Sequence, residues 1–528
     1  MLNGISKKSV VFERIKNINL SFTYNITRYL LTNMKEKILT ITLFLAMVLL
    51  RQMLFAQTPA YSIKAKVGGL KDTTCILAHY FGFNQYIPKD TARADANGNM
   101  LFEGNKKLPE GLYLMVLPDK KRWVELLITD QQRFSFETDT ADFVGRMLVD
   151  GSVENKSFYD YQKFMKTQYT EANIIQAQKK IRDDDASKAL FNRQLNDIQQ
   201  KTRDFRAQFL KQNDKTFTAK LLRAAAEPEV PPTPKLANGR PDSLFPFNYY
   251  KAHYWDGFDF ADERLVRTPF LQRKLDAYIK DLTVQNADSI IKSADYVVGK
   301  AIAGGNKEIK SYTIWYITNK YEVPEVIGTD AVFVHMSEKY YLSGIMPIVD
   351  SSTIAKIRTK VNTIKPLLVG KVFPDMKAQD TLGVFRTVSS IKSDFTVVFF
   401  YDPTCGHCRD ATPDLKKFYD ANRTKGVQLY AVAVSNTPEQ WKKYIGEFKV
   451  GNWLHVYGPS GGVDYQTKYD VYTTPVVYVL DKDKKIIGKR LGVEQLGDFL
   501  NFYQTRILKQ KATIINTATA KPTTKTSK

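Results

Sequence analysis

The sequence predicts a multidomain protein: a small all-β domain towards the N-terminus, a central α-helical domain and a C-terminal α/β domain. Three observations carry this. Residues 61–151 break into short alternating segments separated by turn residues, residues 155–364 change to helical spacing, and from residue 369 strand and helix patterns alternate. At 528 residues the chain is too long for one core, and roughly three domains are expected at this length. A hydrophobic content of 43% with 12% aromatic residues supplies ample core, so disorder is not the default.

The first segment to justify is "MKEKILTITLFLAMVLLRQMLFAQ", which begins at Met34 with the basic residues Lys35 and Lys37. A 13-residue apolar run, Ile38 to Leu50, follows, and a small residue stands at Ala56. This reads as a secretory signal peptide over 34–56 with cleavage between Ala56 and Gln57. The run is short for a membrane span and Arg51 interrupts it; an uncleaved anchor is the alternative reading. Residues 1–33 precede a better start at Met34 and read as a mis-assigned N-terminal extension. The chain is thus expected to be exported, to the periplasm.

The formal charge of +22 is partly terminal. Residues 1–37 contribute +5, Arg51 adds one more, and the tail from Arg506 to Lys528 carries six basic residues and no acid, leaving about +10 spread thinly over 57–505. That surplus favours weak attraction to anionic membrane surfaces. No concentrated arginine face and no nucleic-acid motif is present, so a nucleic-acid partner is not expected.

Within 57–152, "YSIKAKV", "TCILAHYF", "NMLFEG", "GLYLMVL" and "RWVELLI" read as strands of a β-sandwich-like domain. Gly68–Gly69, Asn97–Gly98 and Glu110–Gly111 supply its turns. Cys75 falls in one strand, where a lone thiol is expected to pack as a small core hydrophobe. The helical domain, 153–365, shows Phe191, Leu195, Ile198, Phe205 and Leu210 at helical spacing. A Pro-rich break at 228–246 interrupts it, and Pro269 is expected in the first turn of a later helix. This domain reads either as a spacer or as a partner-binding surface. In the α/β domain, 366–508, "FTVVFFY" is an unbroken apolar strand, as expected of one covered on both faces. The Thr/Lys/Ala-rich tail, 509–528, reads as disordered.

The stretch "YDPTCGHCRDATPDL" holds two of the chain's three cysteines, Cys405 and Cys408, directly after that strand and at the start of a helix. A helix N-terminus offers unpaired N–H groups and a positive dipole end, which stabilise a thiolate at Cys405. Cys408, one turn further in, can reach back to close a Cys405–Cys408 disulfide. His407, with Gly406 between the cysteines, can bring positive charge near the thiolate and tune the pair towards oxidant strength. A zinc site would need two further ligands, and no second CxxC or HxxxH occurs, so no metal is expected. His79, His253, His335 and His455 are isolated in sequence and read as structural. The pattern matches a redox site.

Residues 367–508 resemble the thioredoxin superfamily, and within it the exported TlpA-like (ResA-like) thiol–disulfide oxidoreductases. The resemblance rests on the CxxC, on "GKVFPDMKAQDTLG" as leader, on Pro413 in the active-site helix and on "TTPVVYVLD". It implies a thioredoxin-like fold, catalytic cysteines Cys405 and Cys408, and a cis-proline segment in which Thr474 and Pro475 bind substrate backbone. It also implies protein thiols and disulfides as partners, a membrane or periplasmic electron donor, and no cofactor. Two positions depart from the family. A buried acid six residues before the first cysteine is replaced by Phe399, and a Glu three residues after the second is replaced by Ala411, leaving Asp402 and Asp410 as nearby substitutes. The β and helical parts resemble uncharacterised domains that precede such thioredoxin-like domains in exported proteins. The competing reading is a periplasmic or cell-surface binding or scaffold protein in which the thioredoxin-like domain is secondary.

Overall fold

The computed structural model describes residues 59–508 apart from 83, 84, 183, 348 and 436. The stretches read above as a signal peptide (34–56), as an extension before it (1–33) and as a disordered tail (509–528) lie outside the described residues.

Eight strands form the N-terminal part: β1 (Tyr61–Gly68), β2 (Thr74–Phe81), β3 (Gln85–Arg93), β4 (Asn99–Gly104), β5 (Gly111–Val116), β6 (Trp123–Ile128), β7 (Arg133–Asp139) and β8 (Leu148–Asp150). They make two four-stranded sheets, ordered β4-β1-β7-β8 and β3-β2-β5-β6. Alternation drives the packing: Tyr61, Ile63, Ala65 and Val67 of β1 are buried while Lys64 and Lys66 face out. Gly98 has φ +79° and an added Cβ would meet the Val67 carbonyl at 2.2 Å, so this turn requires glycine. Cys75 is fully buried, and burial pushes its thiol up to about 11, which makes it packing material. Strands β3, β7 and β8 have no counterpart among the expected strands, and of these β3 is the one that carries a proline. It lies at a sheet edge, and its Pro88 sits where the β2 register shifts between Leu77 and Ala78.

The helical part begins with the long hairpin α1 (Val153–Ile181) and α2 (Asp185–Gln212), joined by stacking of Phe164 on Phe205 at 3.7 Å. Ser152 caps α1, and the Asn155 side chain bonds both the N–H and the carbonyl of Leu127 in β6 at 2.7 Å. Thus a buried amide fastens helix to sheet. After α3 (Phe217–Ala224) and the proline-rich stretch come α4 (Phe245–His253), α5 (Phe270–Asp276), α6 (Ala287–Ala303), α7 (Lys307–Lys320), α8 (Asp330–Met336) and α9 (Ser351–Ile364). Pro269 occupies the N-cap of α5, one residue before its first turn. Leu112 and Leu127 of the β part join the helical core around Trp255, Leu271 and Val297, so these two parts share apolar packing.

The C-terminal part carries a seven-stranded sheet of β9 (Lys377–Asp380), β10 (Phe385–Thr387), β11 (Phe395–Tyr401), β12 (Val427–Ala433), β13 (Leu454–Tyr457), β14 (Val476–Asp481) and β15 (Ile486–Lys489). Their order is β10-β9-β13-β12-β11-β14-β15. Strand β11 pairs in parallel with β12, which pairs in parallel with β13, while β14 runs antiparallel to β11. Around the sheet lie α10 (Gly406–Asn422), α11 (Pro438–Phe448), α12 (Tyr465–Tyr469) and α13 (Leu496–Phe502). All seven residues of β11 are buried. Phe395, Val397, Phe399 and Tyr401 pack with residues of α10, α11 and α13, whereas Val398 and Phe400 join the core on the opposite face with Tyr469 of α12. This arrangement delivers the end of β11 to the cysteine loop.

Candidate active site

The loop between β11 and α10 is organised by Asp402. Its carboxylate accepts from the Thr404 N–H and hydroxyl, both at 2.7 Å, and from the Ser435 hydroxyl, while the Cys405 N–H donates to the Asp402 carbonyl at 3.1 Å. The turn leaves Cys405 at the N-cap of α10 with φ −67° and ψ 123°, its side chain over the first turn of the helix.

Both cysteines are free thiols, Cys405 half-buried and Cys408 buried. Partial burial opposes ionisation of Cys405, but donors outweigh it: the Cys408 N–H and thiol, Thr474 and the His407 N–H all hold its sulfur below the ordinary thiol range. Burial pushes Cys408 up to about 12, with the neighbouring Cys405 adding to the effect. The two thiols are therefore driven apart by their surroundings, one towards thiolate and one towards thiol.

The Thr474–Pro475 peptide bond is cis. Val476 pairs with Phe400 as β14 leaves this bond, which brings Thr474 to the cysteine loop, and the Cys405 sulfur lies 3.5 Å from the Thr474 carbonyl oxygen. Gly406 and His407 are exposed on the rim, and a Cβ on Gly406 would meet nothing within 4 Å. Every site residue expected from the sequence thus falls in one neighbourhood.

Sequence reasoning missed the layer behind the cysteines. The Thr412 hydroxyl donates to the Cys408 carbonyl at 2.6 Å and bonds the Tyr444 hydroxyl. Phe399 fills its position as a buried ring, stacked on Tyr401 at 5.3 Å. Tyr401 donates to His455 Nδ1 at 3.2 Å, and His455 Nε2–H donates to the Val450 carbonyl at 2.9 Å. Burial lowers His455 to about 4, which fixes the ring as neutral. Asp402 is engaged in its turn and Asp410 is exposed. Of the other histidines, His79 is buried, His253 bonds Asp256 and His335 bonds Asp295. Among the described residues no group of three or more His, Cys, Asp or Glu side chains is placed to hold a metal.

The helical part touches the cis-proline loop. Asp470, five residues before Pro475, accepts from Arg490 at 2.6 Å and pairs with Lys360 of α9 at 3.4 Å. Beside it, buried Lys489 of β15 pairs with buried Asp330 of α8 and donates to the Leu367 carbonyl at 3.0 Å. No helix among the described residues is long and apolar enough to cross a membrane.

Residues 369–489 match the AhpC/TSA family, while 61–158 and 198–365 match two domains of unknown function, DUF4369 and DUF5106. A thiol-disulfide oxidoreductase ResA of Bacillus cereus is 23% identical over 139 residues, covering 26% of this chain and 78% of that protein. A domain of a possible thiol-disulfide isomerase from Cytophaga hutchinsonii ATCC 33406 is 42% identical, covering 27% of this chain and 98% of the other, with a TM-score of 0.26. A thioredoxin-like protein from Bacteroides caccae ATCC 43185 is 15% identical over 52% of this chain and 99% of its own, with a TM-score of 0.41. With its strand–CxxC–helix site, the AhpC/TSA match over 369–489 and the similarity to ResA over the same end, the chain carries at its C-terminal end a thioredoxin-like domain of the AhpC/TSA family with disulfide oxidoreductase character, preceded by DUF4369 and DUF5106 domains.

Proposed function

We propose that the protein is an exported thiol–disulfide oxidoreductase that exchanges disulfides with protein substrates through Cys405 and Cys408. The observation that carries this reading is the half-buried Cys405 sulfur, held below the ordinary thiol range at a helix N-terminus and 3.5 Å from the Thr474 carbonyl, with protonated Cys408 one turn behind.

The chemistry follows from that asymmetry. Cys405 thiolate attacks one sulfur of a substrate disulfide, a mixed disulfide forms, and the other substrate sulfur leaves and takes a proton. Loss of the negative charge on Cys405 removes one cause of the high Cys408 value, so Cys408 gives up its proton more readily. Its thiolate then attacks the Cys405 sulfur, releasing the second substrate sulfur and closing the Cys405–Cys408 disulfide. The substrate gains two electrons and the pair loses them. A dithiol donor from the membrane or periplasm restores the pair, and the reverse sequence oxidises a substrate dithiol. Thr474 and Pro475 hold the substrate backbone, and His407 tunes the potential. The signal segment at 34–56 supports export to the periplasm.

The test is reduction of insulin disulfides by the full chain. Cys405→Ser abolishes turnover, and Cys408→Ser accumulates mixed disulfides with substrate on Cys405. Retained turnover in Cys405→Ser would sink this assignment, and capture of no substrate by Cys408→Ser would favour the binding-protein reading.

A further inference from the structure

Two neighbouring residues at the end of β15 reach different parts of the protein. Lys489 pairs with Asp330 of α8, and Arg490 reaches the cis-proline loop. Arg490 ties both ends of that loop. Its N–H donates to the Val477 carbonyl at 2.8 Å. Its guanidinium donates to the Asp470 carboxylate at 2.6 Å and to the Asp470 carbonyl at 3.4 Å. Thr474 and Pro475 lie between these ends. The same Asp470 carboxylate pairs with Lys360 of α9 at 3.4 Å, and the Lys360 ammonium lies 5.3 Å from the centre of the Tyr472 ring. Asp330, Asp470, Lys489 and Arg490 line one small cavity of about 80 Å³ together with Ile364 of α9.

Burial says what these contacts fix. The Asp470 side chain is 7% exposed, whereas those of Lys360 and Arg490 are 24% and 44% exposed. A carboxylate taken that far out of water needs cations to hold it, so its place is set by Lys360 and Arg490. The backbone is fixed at the same point. Asp470 has φ +54°, the left-handed conformation that ends α12 and turns the chain into the loop, and its N–H donates to the Tyr465 carbonyl. Beyond it Tyr472 and Thr473 are exposed, and Thr474 and Pro475 are half-buried. Packing therefore restrains the middle of the loop little. The place of the Thr474 carbonyl, 3.5 Å from the Cys405 sulfur, follows from where the loop ends are tied. Of the two cations on Asp470, Lys360 belongs to the helical part.

We infer that Asp470 is a positioning residue that sets the Thr474–Pro475 loop beside Cys405, and that Lys360, acting through it, makes the helical part a component of the thiol-exchange site. The inference rests on the thiol-exchange reading of Cys405 and gives the helical part a task beyond that of a spacer. Its effect falls on polypeptide substrates, whose backbone the loop must meet. A small aromatic disulfide has no backbone to place and reports the Cys405 sulfur alone.

The test uses the full chain with two disulfides: insulin, with dithiothreitol as electron donor, and 5,5′-dithiobis(2-nitrobenzoate), DTNB. In Lys360→Met the KM for insulin rises about fivefold, while kcat and the rate with DTNB stay within about twofold of the unsubstituted protein. Lys360→Arg keeps the charge and brings KM back to within about twofold. Asp470→Asn removes both pairs and raises KM further; should it fail to fold, the partly exposed Lys360 decides alone. An insulin KM unmoved by Lys360→Met overturns the inference. So does a KM as high in Lys360→Arg as in Lys360→Met, or a fall of the DTNB rate in step with the rise in KM, which is general loosening. The unsubstituted protein separates the two claims. Normal reduction of insulin with a KM indifferent to Lys360 sinks the positioning role alone, while failure to reduce either disulfide sinks the thiol-exchange reading as well.

Discussion

The sulfur of Cys405 stands 3.5 Å from the carbonyl oxygen of Thr474, the residue whose bond to Pro475 is cis. Sixty-nine residues separate them in sequence. The contact joins the start of α10 to the segment leading into β14, so the reactive sulfur faces the cis-proline backbone. Several expected outcomes depend on how this neighbourhood divides its protons.

Alkylation should separate the two thiols. Donors hold Cys405 below the ordinary value of about 8.5, whereas Cys408 is pushed up to about 12. Iodoacetamide therefore labels Cys405 at neutral pH and leaves Cys408 and Cys75 unmodified, as read by peptide mass spectrometry. Equal labelling of Cys405 and Cys408 near pH 7 would contradict the assignment of the attacking thiol.

The hydroxyl layer behind Cys408 should contribute to stability. In Tyr444→Phe the Thr412 hydroxyl keeps its bond to the Cys408 carbonyl, so the loss is that of one hydrogen bond, about 1 kcal/mol. Thr412→Val instead leaves the Tyr444 hydroxyl without this partner in a buried setting and costs about 1–3 kcal/mol. Urea unfolding of both variants, measured with the cysteines reduced, should rank them in that order.

His455 should make stability depend on pH under mildly acidic conditions. Its folded value is about 4 against an ordinary 6.5. Between these values the unfolded chain binds more protons, so its contribution to stability is lost as pH falls through that window, by up to about 1.4 kcal/mol per pH unit. Thermal melts of His455→Gln should show a flatter dependence from pH 6.5 down to 4. An unchanged slope would mean that other groups govern it.

The ion pair between Lys489 and Asp330 should be sensitive to removal of one partner. Side-chain exposures are only 8% and 5%, so Lys489→Met leaves a buried carboxylate uncompensated and costs about 3–5 kcal/mol. Lys489→Met combined with Asp330→Leu should recover most of that loss. Limited proteolysis near residues 365–372 reads the same effect as loosening of the junction.

Much of the site was legible because its information is local. The apolar run Phe395–Tyr401, the cysteines at the start of a helix and the Thr474–Pro475 segment each announce themselves within a few residues. What escaped depends on pairing at a distance. Tyr401 and His455 are 54 residues apart, and Lys360 and Asp470 are 110 apart. In sequence, such charged residues read as solvated surface, and only the packing of α8 and α9 against β15 and the cis-proline loop gives them partners. Strand β3 escaped for a different reason. At an edge its residues are mostly exposed and Pro88 needs no ladder donor, so neither alternation nor propensity marks it.

The central claim is that Cys405 and Cys408 form a working redox pair. The most direct measurement equilibrates the full chain with glutathione buffers of graded potential and counts free thiols on Cys405 and Cys408 by mass spectrometry. The account predicts one reversible two-electron transition, falling between about −270 mV, the thioredoxin value, and about −180 mV, that of protein disulfide isomerase. Cys75 should stay reduced throughout. Failure of Cys405 and Cys408 to form a disulfide at any potential in that range would contradict the account.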